Sequence, residues 1–422
     1  MTSSRVRRLV VVGGSLAGVR AVESARRTGY DGGLVLVGAE PHAPYDRPPL
    51  SKAFLDPAKD PEPVVLRSET DLRDLDVDLR LGSPAEKLDL ATREVLVAGE
   101  PVPYDALVVA TGSTPRTLPD AITPDGSPVA GVHVLRELDD ARAIRAALDD
   151  GARTVVVGAG FIGSEVASAA RARDLPVTVV EALDRPLVRS VGPDVGDVCA
   201  RLHHDAGTDL RLGVGVAGLK TVADGDGGRV TGVRLDDGTL LPADLVVVGV
   251  GARPATGWLE GAGVPLHDGD RGVLCSATLS TGVPDVWAAG DVAHVALPLL
   301  DGDPLRQEHW TSAAEQGAAA ARHALDPDAA RPLETIPYFW SDWYGHRLQL
   351  VGSPRGDEAR VVDPGGADGA GFVALYRRSG RVVGAFTIDR PRDVMKLRRR
   401  VAARGDWDEA VEYAASLAPV GG

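Results

Sequence analysis

The chain has 422 residues, 44% of them hydrophobic and 25% charged, enough for two or three domains of the usual size of about 100–150 residues. No apolar run reaches the roughly 20 residues a bilayer span needs, and the composition is that of a folded chain, which excludes a membrane-spanning or a disordered protein. Lys and Arg number 46 against 60 Asp and Glu, a net charge of −14, so nucleic acid is not the expected partner.

The opening MTSSRVRR runs straight into LVVV, with neither an apolar segment of signal-peptide length nor a cleavage site, and a cytoplasmic location is expected. Residues 9–18, LVVVGGSLAG, form a strand-type run that breaks at glycines and passes into a helix-compatible stretch; a second strand-type run, LVLVGAE, covers 34–40. This βαβ order suits a dinucleotide, whose pyrophosphate faces a helix N-terminus. Gly13, Ser15 and Gly18 occupy the GxGxxG register, with Ser15 in place of the middle glycine, and Glu40 is placed to bond a ribose hydroxyl.

The segment PHAPYDRPPLSKAF follows without a cysteine, and YDALVVATGSTPR (104–116) is a further apolar strand ending at a glycine turn. Residues 155–165, VVVGAGFIGSE, repeat the fingerprint in full at Gly158, Gly160 and Gly163, and VTVVEA follows with Glu181 at the strand end. Two copies in matching context predict two nucleotide sites. ADLVVVGVGARP (243–254) and VWAAGDVA (286–293) are again strands stopping at glycines, and ligands on such sheets gather at strand C-termini, where Gly112, Arg253 and Asp291 fall. From GFVALYR and RVVGAFTID onward the pattern alternates, which predicts antiparallel strands followed by a helix.

The expected class is α/β: two nested Rossmann-like domains, 1–112 with 244–325 and 113–243, plus a C-terminal α+β domain at 326–422. The two cysteines, Cys199 and Cys275, cannot supply the four ligands of an iron–sulfur cluster. The nine histidines are scattered, His203-His204 has no evident metal-site partners, and neither a Ser-His-Asp triad nor a metal site is expected.

The two βαβ units, the ATG turn and the AAGD turn resemble the glutathione-reductase-like flavoproteins with two dinucleotide-binding domains. With PYDRPPLSK (44–52), QEHWTSAAEQG (307–317) and YFWSDWYGHRLQLVG (338–352), nearly the whole chain resembles the oxygenase-coupled NADH-dependent ferredoxin reductases, the putidaredoxin-reductase-like group. The resemblance implies that the first fingerprint holds FAD and the second NADH. It implies an FAD site lined by Gly13, Ser15, Gly18, Glu40, Arg47, Lys52, Thr111, Gly112 and Asp291, with Glu308 and Trp310 in the segment beneath the flavin. Lys52 and Glu165 are the expected catalytic pair, Lys52 at the reactive edge of the flavin and Glu165 approaching it and the nicotinamide; the residues alone also allow a solvated lysine and a helix first-turn acid. Tyr338, Phe339, Trp340 and Trp343 concentrate aromatics that are either core or cofactor contacts.

Glu181 favours NADH, because a carboxylate accepts from both ribose hydroxyls and repels a 2′-phosphate, although Arg185 and Arg189 follow closely. Disulfide reductases of the class carry a cysteine pair after the first βαβ unit; here there is none, which excludes thiol-based catalysis, and the acceptor the resemblance implies is an acidic [2Fe–2S] ferredoxin serving a cytochrome P450 or ring-hydroxylating dioxygenase. A rubredoxin reductase or a flavin-dependent NADH oxidase is the alternative, and an apoptosis-inducing-factor-like flavoprotein, which expects a basic surface, stands further off. Residues 389–404 carry seven cationic and two acidic side chains, with Val394, Leu397 and Val401 at helical spacing, and either steer the ferredoxin or form a plain solvated face. Either a monomer or a homodimer is compatible with the sequence.

Overall fold

The computed structural model describes residues 6–123, 126–224, 227–366 and 371–417. The chain falls into two compact units, each assembled from three segments: Met1–Asp46, Val64–Thr114 and Arg253–Tyr338 in the first; Arg47–Pro63, Pro115–Ala252 and Phe339–Gly422 in the second.

The first unit is built on a parallel sheet whose strands lie in the order Val286–Ala288, Ala106–Val109, Arg8–Val12, Gly33–Val37, Val77–Arg80. Leu9, Val10 and Val11 of the central strand are fully buried, as a strand covered on both faces requires. The helices Leu16–Arg27 and Trp310–Leu325 lie against each other. The second is alanine-rich for a steric reason: a Cβ on Gly317 would stand 2.1 Å from the Ala17 carbonyl oxygen, so small residues alone permit this approach. Antiparallel strands Ala85–Asp89, Glu94–Val97 and Glu100–Pro103 form a smaller sheet.

The second unit repeats the plan in the order Asp209–Leu212, Val177–Glu181, Thr154–Val157, Leu245–Val248, Val132–His133, all parallel. Its C-terminal part is a five-stranded sheet in the order Tyr338–Trp343, His346–Gly352, Arg381–Ile388, Val373–Arg378, Glu358–Asp363, followed by the helices Pro391–Ala402 and Trp407–Ser416. Trp343 and Phe386 of this sheet, with Phe372 just before one of its strands, share one core with Val191, Cys199 and Leu202. The α/β architecture expected from the sequence, with an antiparallel α+β portion at the C-terminus, is the one observed.

Candidate active site

In the first unit the strand Arg8–Val12 ends at Gly13, whose φ of 130° would put a Cβ 2.0 Å from the Ala110 carbonyl oxygen. Gly18, in the first turn of the helix, would place one 1.9 Å from the Gly13 carbonyl oxygen, so neither position admits a side chain. Ser15 is the N-cap of Leu16–Arg27. At Gly160, the corresponding middle position of the other fingerprint, the nearest atom to an added Cβ is the Gly249 carbonyl oxygen at 3.7 Å. The middle position thus makes no steric demand for glycine, and a serine stands there without strain.

Around this turn, Tyr45 donates its hydroxyl to the Glu40 carboxylate. Thr111 Oγ1 donates to the Ala255 carbonyl oxygen at 2.8 Å, and the Gly112 carbonyl accepts from Ala255 N–H at 3.0 Å. Ser113 Oγ lies 3.5 Å from Asp291 Oδ2. Arg306 binds the Asp291 carbonyl oxygen at 3.1 Å and the Glu308 carboxylate at 2.5 Å. Trp310 begins its helix and is anchored by its indole N–H on Asp46 Oδ1 at 2.6 Å.

Gln307 opens the segment QEHWTSAAEQG, and nothing in the sequence alone sets it apart. It is 2% exposed, yet neither its amide nitrogen nor its oxygen has a hydrogen-bond partner among the described residues, and the same holds for the buried Ser312 hydroxyl. Buried polar atoms left unpaired are costly, which marks them as groups kept for a ligand. Unspent donors and an acceptor beside one helix N-terminus, with a side-chain-free turn at another, fit the polar ring edge and the pyrophosphate of FAD.

In the second unit the 3-10 turn Pro48–Ser51 carries Lys52 at its end, and Arg47, which precedes it, donates to the Arg136 carbonyl oxygen at 2.7 Å. Lys52 Nζ lies 2.8 Å from Glu165 Oε1, with the two side chains 18% and 2% exposed. The Ser51 and Ser341 hydroxyls also donate to this carboxylate, and Trp343 Nε1 donates to Ser341 Oγ at 2.8 Å. Lys52 is therefore no solvated surface lysine. Glu165 is the fifth residue of Phe161–Arg171 and points into the unit, so the helix dipole at a first turn is not what holds it. Three donors offset its desolvation. Neither serine was singled out in the sequence; each stands next to a residue that was.

The full fingerprint repeats the geometry of the first: a Cβ on Gly163 would lie 2.3 Å from the Gly158 carbonyl oxygen. The Glu181 carboxylate accepts the Ala159 N–H at 2.9 Å and the Leu183 N–H at 3.0 Å, which fixes it beside the glycine turn. Arg185 is committed to Asp197 at 2.7 Å and Asp184 at 2.6 Å, so it is not a free receptor for a 2′-phosphate. Among the aromatics, Trp343 is wholly buried in the core, while Phe339 is half-buried against that core, edge-on to Phe161 at 4.5 Å.

His203 is also a core group: it bridges Ser164 Oγ at 3.2 Å and the Tyr344 hydroxyl at 2.8 Å, and burial pushes its imidazole down to about 3. The expectation that the histidines are scattered needs correction, because His267 and His294 of the first unit converge on Asp270 through the fold. Both thiols are free and buried, and burial pushes them up, Cys275 to about 12. Among the described residues no helix is long and apolar enough to cross a membrane. In Pro391–Ala402, Val394, Leu397 and Val401 are buried, while Arg392 and Arg399 are exposed; Arg390 is taken up by Asp363 and Asp393, and Arg400 stacks on Tyr413 at 3.8 Å.

Two parallel sheets, each with a glycine turn opening a helix and a glutamate at the next strand end, define a pyridine-nucleotide-dependent reductase of the two-dinucleotide class. Residues 7–317 match the pyridine nucleotide-disulphide oxidoreductase family and residues 338–417 the reductase C-terminal family, and the chain belongs to the former with the latter appended. It is 35% identical over 395 residues to rhodocoxin reductase of Rhodococcus erythropolis, covering 93% of this chain and 89% of the relative. It is 37% identical over 399 residues to the biphenyl dioxygenase system ferredoxin–NAD(+) reductase component of Paraburkholderia xenovorans, covering 94% and 93%. Among solved structures, it matches the covalent putidaredoxin reductase–putidaredoxin complex with a TM-score of 0.87 at 32% identity, covering 98% and 99% of the two chains.

Proposed function

We propose that the chain is an FAD-dependent NADH:ferredoxin reductase, taking hydride from NADH and delivering electrons one at a time to a ferredoxin that serves an oxygenase. The state of the thiols carries this reading. Cys199 and Cys275 are buried with raised pKa values, and no cysteine stands in the stretch that precedes Lys52. A thiolate is the reactive form, so no thiol relay is open to this chain and electrons must leave to an external acceptor.

In this reading 1–112 with 244–325 bind FAD, 113–243 bind NADH and 326–422 form the reductase C-terminal domain. Gly13, Ser15, Gly18, Glu40, Arg47, Thr111, Gly112, Asp291, Glu308 and Trp310, now joined by Gln307, would hold FAD. Gly158, Gly160, Gly163 and Glu181 would hold NADH, the Glu181 carboxylate taking the ribose hydroxyls and repelling a 2′-phosphate. Bound FAD supplies the redox chemistry, accepting two electrons together and releasing them singly. Lys52 would offset the negative charge that hydride delivery creates, where a fixed cation out of water acts strongly. Glu165 directs that ammonium, and Ser51 and Ser341 keep Glu165 from turning. The acceptor is an acidic [2Fe–2S] ferredoxin steered by the exposed Arg392 and Arg399. The cytoplasm, where NADH is held and thiols stay reduced, is the setting, with a monomer or homodimer as the working form.

The test is anaerobic stopped-flow mixing of the flavin-loaded protein with NADH and then with a [2Fe–2S] ferredoxin. Fast bleaching by NADH, slower bleaching by NADPH and reoxidation by ferredoxin are expected. Reoxidation by oxygen alone would make the protein an oxidase, and a chain that takes up no FAD would overturn the reading.

A further inference from the structure

Residues Arg47–Pro63 belong to the second unit, although the chain on either side of them belongs to the first. They carry Ser51 and Lys52, and beyond the turn Pro48–Ser51 they cannot continue as a helix. Phe54 N–H reaches back to the Pro49 carbonyl oxygen at 2.9 Å and Leu55 N–H to that of Lys52 at 3.0 Å. Pro57 then has no N–H to give, Ala58 N–H is spent on Asp56 Oδ1 at 2.9 Å, and Lys59 N–H on the Asp56 carbonyl oxygen at 3.2 Å. The Phe54 and Leu55 carbonyls thus lose the donors a helix would supply, and at 2% and 0% exposure these residues are closed to water, so their donors must come from elsewhere in the protein.

Two arginines provide them. Arg145, on the helix Leu138–Asp149, donates from Nη1 to the Phe54 and Asp56 carbonyl oxygens at 2.7 and 3.0 Å and from Nη2 to that of Lys59 at 3.0 Å. Arg173, just past the end of Phe161–Arg171, donates to the Leu55 carbonyl oxygen at 2.6 Å and to that of Ala169 at 3.1 Å. Asp149 joins the two guanidiniums, 2.6 Å from Arg173 Nη2 and 3.3 Å from Arg145 Nε. A rigid, planar fork of donors suits several converging carbonyls, which the compact ammonium of a lysine could not span.

The helix Phe161–Arg171 and the residues that close it therefore grip one short segment at two points. Glu165 takes the Ser51 hydroxyl and the Lys52 ammonium, and Arg173, eight positions on, takes Leu55. Lys52 carries its charge on a flexible four-carbon stem, so the cation is placed no more accurately than the backbone beneath it. Pro48 and Pro49 stiffen that backbone on one side. We propose that Arg145 and Arg173 are positioning residues that fix it on the other, holding the Lys52 ammonium where negative charge develops. A misplacement of about 1 Å in a reacting site can cost roughly 100-fold in rate, which makes so many bonds to one backbone segment intelligible. This role presupposes that Lys52 acts on hydride transfer, as proposed above.

The test is anaerobic stopped flow on the full-length, flavin-loaded protein at saturating NADH. Arg145→Ala should slow the limiting rate of flavin reduction roughly 10-fold while the NADH dissociation constant stays within about 2-fold. It should also lower the flavin midpoint potential, the direction expected of Lys52→Met. In a Lys52→Met background the same change should slow reduction no further, since no ammonium is left to place, whereas a merely structural role would slow it in both backgrounds. Arg145→Lys, which keeps the charge without the fork, should fall between, and it replaces Arg145→Ala should that variant fail to fold. Arg142→Ala, on the same helix and paired with Asp139, should match the wild type. Equal slowing in both backgrounds, or wild-type reduction and potential in the Arg145 variants beside a slowed Lys52→Met, would overturn the positioning role alone. Wild-type reduction in Lys52→Met would remove Lys52 from the reaction, and this role with it.

Discussion

Glu165 Oε1 lies 2.8 Å from Lys52 Nζ, and the same carboxylate collects the hydroxyls of Ser51 and Ser341. A buried acid with three donors is a prepared electrostatic element: its orientation is settled before any ligand arrives.

Removing one partner exposes the cost of this arrangement. Lys52→Met leaves Glu165 buried without its cation, and should cost about 3–5 kcal/mol of stability, read as a lower urea midpoint. Adding Glu165→Gln should restore most of that loss, since the orphan charge is gone, while reduction of the flavin by NADH stays slowed at least about 10-fold in stopped flow. A single mutant as stable as the double would contradict the pairing.

The proposed preference for NADH turns on Glu181. Glu181→Ala should raise the ratio of kcat/KM for NADPH over NADH by at least about 10-fold, chiefly by losing bonds to the NADH ribose. The further change Asp197→Asn, which frees Arg185 from a carboxylate at 2.7 Å, should raise the ratio again. Unchanged ratios in both variants would remove Glu181 from the site.

Arg392→Glu with Arg399→Glu reverses two exposed cations while the buried Val394, Leu397 and Val401 keep the helix seated. Reduction of an acidic ferredoxin should slow and lose much of its dependence on ionic strength, with small dyes reduced as before. Ferredoxin kinetics equal to the wild type would show that the partner lands elsewhere.

Acid sensitivity follows from His203. Its folded pKa of about 3 lies below the ordinary 6.5, so between those values the unfolded chain binds a proton that the folded chain refuses. Stability from this group is complete above pH 6.5 and drains away as pH falls towards 3. His203→Gln should flatten the decline of urea midpoint with acidity over that window; an unaltered slope would show that other groups govern it.

The sheets were legible because their strands are short apolar runs cut off by glycine, as at Val12-Gly13 and Val157-Gly158, and that pattern is local. What surrounds Glu165 was not, since Ser51 and Ser341 stand 114 and 176 positions away from it and local spacing carries no trace of them. The charge run at 389–404 was visible, but the pairing of Arg390 with Asp363 and the stacking of Arg400 on Tyr413, which remove two of its cations from a partner's reach, were made by the fold. Gln307 drew no notice because an amide beside a tryptophan and a glutamate has no pattern of its own; its signal is burial without a partner.

The interleaving of the two units has a consequence for how the protein is made. The first sheet needs the edge strand Val286–Ala288, and its covering helix is Trp310–Leu325, so a nascent chain must lengthen past residue 325 before the opening βαβ turn gains its full support. Until then the earliest strands wait on the ribosome with their apolar faces incompletely covered, an interval in which chaperone binding is favoured. Gene fragments ending before that helix should yield aggregates instead of a small flavin-binding domain, and the order of synthesis, more than the strength of any one contact, sets when this protein first becomes yellow.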